Sequence, residues 1–188
     1  MKSVCVFCGS SPGARPEYAA AAQAMGEALA RRGLTLVYGG ASRGLMGVLA
    51  DTVLGRGGTV VGVMPKALGR AEITHAGLTE LVIVDSMYER KRLMFERSDA
   101  FVTLPGGFGT LDELAEVLTM SQLGIHAKPC GLLDVAGFFD PLIAFFDRAV
   151  AERFVRPEHR ALVTVGDDPE LLLDELAKAA PPPLPKWL

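Results

Sequence analysis

An apolar run from Ala100 to Leu104 breaks at Pro105-Gly106-Gly107-Phe108-Gly109-Thr110 and gives way to a stretch with helical spacing. A glycine-rich turn between a strand and a helix is the setting in which a backbone can cradle a phosphate. Glycines admit close approach and positive φ, and the unpaired amides at the helix start point at the anion, aided by the helix dipole. No lysine follows the last glycine, so the run is not a Walker A loop, nor does it have G-x-G-x-x-G spacing. The alternative is a tight turn that holds no ligand. Glu113 presents a similar choice. Thr110 and Glu113 have the T-x-x-E spacing of a capping box, in which Thr110 is the N-cap and the glutamate bonds its amide. Otherwise the carboxylate faces whatever the loop holds and acts on it. Asp112 and Glu116 read as solvated acids that complement the dipole.

A second constellation is Met87-Tyr88-Glu89-Arg90-Lys91. Ser86 and Glu89 have capping-box spacing, which predicts a helix from there to about Arg97. Two cations in its first turns oppose the dipole, at a cost of up to roughly 1 kcal/mol each if exposed. They belong either to a ligand site or to an ordinary exposed face. Gly39-Gly40-Ala41-Ser42-Arg43-Gly44-Leu45-Met46-Gly47 is another glycine-rich turn into a helix, open between ligand contact and close backbone packing. His75, His126 and His159 have no metal spacing and read as structural or surface residues. Cys5 and Cys8 form C-x-x-C, but residues three apart on a strand point to opposite faces, so buried strand cysteines are expected rather than a metal or redox pair.

The elements that position these residues alternate along the chain. Ser3–Cys8, Leu34–Tyr38, Thr59–Met64, Leu81–Val84, Ala100–Leu104, Pro129–Leu133 and Val163–Val165 read as strands. Helices are expected from Pro16 to about Arg32, Gly44 to about Leu54, Ser86 to about Arg97 and Thr110 to about Gln122. Two more should begin at Asp140-Pro141 and Asp168-Pro169, each with the acid as N-cap. Residues 66–80 read as irregular. The pattern predicts a single α/β domain over residues 1–180, a doubly wound parallel sheet with helices on both faces, and a proline-rich tail at 181–188. Ligands of such sheets sit beyond the carboxyl ends of the strands, where the turns at Gly9-Ser10, Gly39-Gly40 and Gly106-Gly107 all fall.

A length of 188 residues suits one domain, and the net charge of −3 argues against a nucleic-acid surface or a basic membrane patch. No run approaches the roughly 18 apolar residues of a membrane span. The short apolar N-terminus meets Gly9 and Pro12 too soon for a signal peptide, and three cysteines do not make a disulfide framework. The expectation is a soluble cytoplasmic protein.

These residues resemble the LOG family, cytokinin riboside 5′-monophosphate phosphoribohydrolases long labelled possible lysine decarboxylases. The resemblance covers nearly the whole chain: Val4 to Pro12, Gly39 to Gly47, Arg90-Lys91 and Pro105 to Glu113, where every fixed position of P-G-G-x-G-T-x-x-E is matched. Tyr88 departs from the histidine common in relatives. The resemblance implies a Rossmann-like fold, a homodimer, and cleavage of a nucleoside 5′-monophosphate into free base and ribose 5-phosphate without a cofactor. It implies Arg90 and Glu113 as the catalytic pair. Gly106, Gly107, Gly109 and Thr110 correspond to its phosphate loop, with Phe108 among the substrate contacts; Lys91, Thr119 and Glu72 correspond to further contacts.

Breaking a ribosyl C1′–N bond builds positive charge on the sugar, which a nearby carboxylate stabilises. A glutamate beside an arginine should titrate below about 4.3, so Glu113 is expected to be ionised at neutral pH, with an electrostatic role first. A passive nucleotide-binding protein of the same fold is the alternative. An AMP nucleosidase indifferent to prenylation is another. An amino-acid decarboxylase would need pyridoxal phosphate or a pyruvoyl group, and the sequence offers no convincing site for either.

Overall fold

The computed structural model describes residues 1–68 and 74–179; Glu72 and the proline-rich tail lie outside the described residues. Seven strands form one parallel sheet: β1 (Ser3–Phe7), β2 (Thr35–Tyr38), β3 (Val60–Pro65), β4 (Glu80–Val84), β5 (Ala100–Thr103), β6 (Cys130–Leu133) and β7 (Val163–Gly166). The helices are α1 (Pro16–Arg31), α2 (Gly44–Gly55), α3 (Met87–Glu96), α4 (Phe108–Gln122), α5 (Asp140–Ala151), α6 (Pro157–Arg160) and α7 (Pro169–Lys178).

The order β4-β3-β2-β1-β5-β6-β7 reverses direction between β1 and β5. Strands flanking such a reversal send their following helices to opposite faces, and the loops part to leave a crevice at the carboxyl ends. Side-chain alternation fills both faces. Val4, Val6, Leu36 and Tyr38 pack with α1, α2 and α7, while Cys5, Phe7, Val37 and Phe101 face residues of α3 and α4. Cys5 and Cys8 fall in these two different clusters, as strand alternation requires, and are buried free thiols. A third cluster joins Leu114 of α4, Leu132 and Val163 to Phe139 before α5. Among the described residues no helix is long and apolar enough to cross a membrane.

Most expected elements form within a residue or two, and three local readings need correction. Helix α4 begins at Phe108 with Gly107 as its N-cap, so Thr110 lies inside the first turn and is not the cap. Asp140 is likewise the first residue of α5, behind an N-cap at Phe139. The short helix α6, opened by Pro157, stands where no helix was expected. Asp168 does cap α7, its carboxylate accepting from the Leu171 amide at 2.9 Å. Ser86 caps α3 by accepting from the Glu89 amide at 3.1 Å, and Glu89 reaches back one residue further, to the Asp85 amide at 2.9 Å.

Candidate active site

The exits of β2, β1 and β5 lie side by side, and their loops interlock. Gly9 donates its amide to Pro105 O at 3.0 Å, and Leu45 at the start of α2 donates to Gly9 O at 3.0 Å. A Cβ on Gly106 would overlap Thr110 Oγ1 and lie 2.9 Å from the Gly9 amide nitrogen, so this glycine serves close packing. Gly107 and Gly109 have open space where a side chain would project. The two readings of the loop therefore apply to different glycines.

Over these exits lies a cavity of about 530 Å³. Gly107, Phe108, Gly109 and Thr110 line one wall, Gly9 and Ser10 the floor, and Arg90 and Glu113 the side toward α3 and α4. The first helical bond of α4 runs from the Leu111 amide to Gly107 O at 3.0 Å. The amides of residues 108–110 accordingly have no acceptor within the helix, and together with the dipole they form a seat for an anion. Phe108, at 93% exposure, stands at the rim, whereas Thr110 is buried.

Arg90 and Glu113 meet in the cavity wall, Nη1 to Oε1, at 3.4 Å, with 12% and 11% of their side chains exposed. The Arg90 Nε donates to Val63 O at the end of β3, at 3.1 Å, which turns the guanidinium across the strand ends. Burial pushes the Glu113 carboxyl up to about 7, against the opposing pull of Arg90. This corrects the expectation of a fully ionised glutamate. Desolvation of the carboxylate outweighs one loosely paired cation, so near neutral pH the group is poised to give or take a proton. With Gly107 as N-cap, Glu113 is also free of the capping box proposed for it.

Lys91 does not lie on an idle surface either. Its ammonium reaches Asp112 at 3.2 Å and Glu116 at 3.0 Å, which ties α3 to α4 and, through the hydrogen bond to Glu116 first, raises its proton affinity. It lines a second, smaller cavity of about 170 Å³ between those helices, on the far side of Glu113 and Met94. One side of that cavity is apolar: Phe7, Phe95 and Phe101 stack at 5.9 and 5.5 Å between centroids, joined by Val117 and Met120, while Arg92 and Glu116 line it beside Lys91. Tyr88, 74% exposed, stands at its mouth. Thr119 lies on the exposed face of α4, its hydroxyl bonded to Ala115 O at 2.7 Å, and lines neither cavity. The structure thus gathers Arg90, Glu113 and residues 107–110 in one cavity, puts Lys91 in the adjoining one, and leaves Gly106 in the packing beneath and Thr119 apart.

The sequence reading missed several wall residues. Arg43, the lone charge in the Gly39–Gly47 run, lines the main cavity, a position its glycine-rich surroundings already hinted at. Met94 is one helical turn from Arg90, a spacing that puts both on one face. Nothing local in the sequence marks the Phe7–Phe95–Phe101 stack, because its members come from three elements. Two of the histidines are bound up elsewhere, His75 Nε2 lying 2.9 Å from Asp51 and His126 Nε2 donating to Val117 O at 2.8 Å, and His159 lines neither cavity. No cluster of metal-ligating side chains occurs among the described residues.

Residues 46–176 match the family model described as "Possible lysine decarboxylase". A probable cytokinin riboside 5'-monophosphate phosphoribohydrolase of Oryza sativa subsp. japonica is 50% identical over 182 residues, covering 97% of this chain and 74% of the relative. The cytokinin riboside 5'-monophosphate phosphoribohydrolase of Rhodococcoides fascians is 51% identical over 170 residues, covering 90% and 86%. Among solved structures, the molybdenum cofactor binding protein of Rippkaea orientalis superposes with a TM-score of 0.72 at 19% identity, covering 95% of this chain and 97% of that one. That likeness establishes the shared fold.

Proposed function

The chain belongs to the possible-lysine-decarboxylase (LOG) family, and from that membership we propose that it hydrolyses the N-glycosidic bond of a cytokinin riboside 5′-monophosphate, releasing free base and ribose 5-phosphate. The observation that carries the reading is the buried Arg90–Glu113 pair in the wall of a cavity whose other wall is the amino end of α4. In this proposal the amides of residues 108–110 hold the 5′-phosphate, which fixes the ribose with its anomeric carbon toward Glu113. Water adds to C1′ as the bond to the base nitrogen breaks, and the departing base gains a proton. Ionised Glu113 stabilises the positive sugar and takes a proton from the water. Its proton affinity near neutrality suits that exchange. Arg90 holds the carboxylate in place and offers its remaining N–H groups to the nucleotide.

The aromatic-lined cavity beside Glu113 supports a base bearing an apolar substituent over bare adenine. AMP is then a slower substrate of the same site. A panel of isopentenyl-AMP, AMP and isopentenyladenosine, followed by chromatography of the released base, tests the reading. The expected order is isopentenyl-AMP first, AMP second, and the unphosphorylated nucleoside lower by two orders of magnitude or more, since nothing on it engages α4. Equal rates with and without the phosphate would refute the loop's role, and no base released from any of them would refute hydrolysis. We also infer a homodimer, which the exposed apolar side chains Leu111, Ile125, Phe145 and Phe154 support. Sedimentation velocity should give twice the 20.0 kDa chain mass, and a concentration-independent monomer would dismiss it.

A further inference from the structure

Gly39 and Gly40 follow β2 directly, and only one of them is demanded by the backbone. Gly40 has φ +80°, where a side chain is strained, whereas Gly39 lies outside the left-handed region. What excludes a side chain at Gly39 is Arg90. A Cβ built on Gly39 would overlap Arg90 Nη2 and stand 3.0 Å from Cζ, with Met46 Cε 2.5 Å away on the other side. Both neighbours are side-chain ends, so an added methyl is accommodated only when the Arg90 guanidinium and the Met46 methyl both move.

We propose that Gly39 is a positioning residue: the space left by its missing side chain is the seat of the Arg90 guanidinium and sets the distance from Arg90 to Glu113. The guanidinium is located from three directions. Nε is anchored on Val63 O, Nη2 is lodged against Gly39, and Nη1 faces Glu113. The contact with Glu113 is long, at 3.4 Å, so the ion pair does not locate itself. Its geometry is inherited from the backbone of β2 and β3. Filling the seat moves the cation, weakens its hold on the carboxylate, and lets Glu113 keep its proton to higher pH. The catalytic consequence rests on the hydrolase reading above; the placement of Arg90 does not.

Gly39→Ala in the full chain tests this with two readouts. Carboxyl ¹³C NMR, with the Glu113 signal assigned by its disappearance in Glu113→Gln, gives the titration directly, and pH–rate profiles give kcat and KM. The expected result is a Glu113 titration midpoint raised by about one unit and a kcat lowered at least tenfold, with the corresponding limb of the profile moving the same way. Arg90→Lys removes the atom that occupies the seat, so in that background Gly39→Ala should not shift the Glu113 titration further, whatever the smaller Met46 contact does to turnover. Gly55→Ala, at a helical glycine with open space around it, is the silent control. A wild-type Glu113 titration in Gly39→Ala, or an equal titration shift from Gly39→Ala in the Arg90→Lys background, overturns the proposal. A shifted titration in a protein that hydrolyses none of the panel upholds the seat and refutes the hydrolase. Should Gly39→Ala alone not fold, recovery by Arg90→Lys supports the clash and failure to recover refutes it.

Discussion

Two groups of arginine and glutamate in this molecule behave in opposite ways. At the surface, Glu170 at the start of α7 receives Arg31 at 2.5 Å and Arg32 at 2.6 Å, both from the end of α1, and Arg32 also holds Asp174 at 2.8 Å. Those bonds, Arg31's first, pull the Glu170 carboxyl below its ordinary value. In the cavity wall, Glu113 has one arginine at 3.4 Å and is pushed up. An arginine neighbour does not by itself fix the sign of a carboxylate's shift. Water supplies most of the solvation at Glu170, so each added hydrogen bond lowers its proton affinity. At Glu113 burial removes most of that hydration, and a single loose contact does not replace it. The first arrangement joins helices; the second keeps a proton exchangeable near neutrality.

The largest effect that separates the two is on turnover. Glu113→Gln should lower kcat by a factor on the order of 10²–10⁴, while Glu170→Gln leaves it within twofold, measured on the best substrate of the panel. Comparable losses in both variants would erase the distinction. Stability against pH gives the next contrast. The native state binds the Glu113 proton more tightly than the unfolded chain, so ionisation of this group destabilises the fold, with the penalty absent below about pH 4.5 and complete above about pH 7. Glu113→Gln is thus expected to be more stable than wild type at about pH 8, by up to roughly 3 kcal/mol, and equal to it near about pH 4. Urea melts at the two pH values check this, and a destabilised variant at the higher pH would contradict it. Glu170 has the reverse sign: its contribution is present above its unfolded value and lost as pH falls through the lowered one. Glu170 is exposed and screened, so Glu170→Gln should destabilise by under about 1 kcal/mol at neutral pH, the smallest of the three effects.

What the sequence revealed follows the same division between local and assembled physics. Strand exits rich in glycine, the Asp168 cap and the alternation of Val4, Cys5, Val6 and Phe7 are properties of a few consecutive residues, and they were legible. The start of α4 was not. T-x-x-E is a satisfactory local cap, yet Thr110 is drawn under Gly106, and Gly107, extended at φ −102°, takes the N-cap position without any side-chain bond. The raised proton affinity of Glu113 was invisible for a deeper reason, since burial is contributed by α3, β1 and β5 together. Gly39 belongs in sequence to a turn open between ligand contact and close backbone packing, and only the fold reveals that the Arg90 side chain fills its space. The aromatic cavity beside Glu113 likewise exists only when three distant phenylalanines converge.

The central place of β1 bears on how the chain is made. Its edge toward β5 is complete only when Phe7 meets Thr103, and the amides of Lys2 and Ser3 are received by Asp99 at 2.5 and 3.1 Å. At ribosomal speeds of about 5–20 residues per second, that partner follows by roughly 5–20 seconds, an interval in which the nascent amino-terminal half has β1 paired on one side at most. A bare strand edge is a template for wrong partners. The nascent chain's need for chaperones should therefore peak before residue 103 clears the exit tunnel, and truncations ending short of β5 should aggregate rather than fold as a smaller sheet.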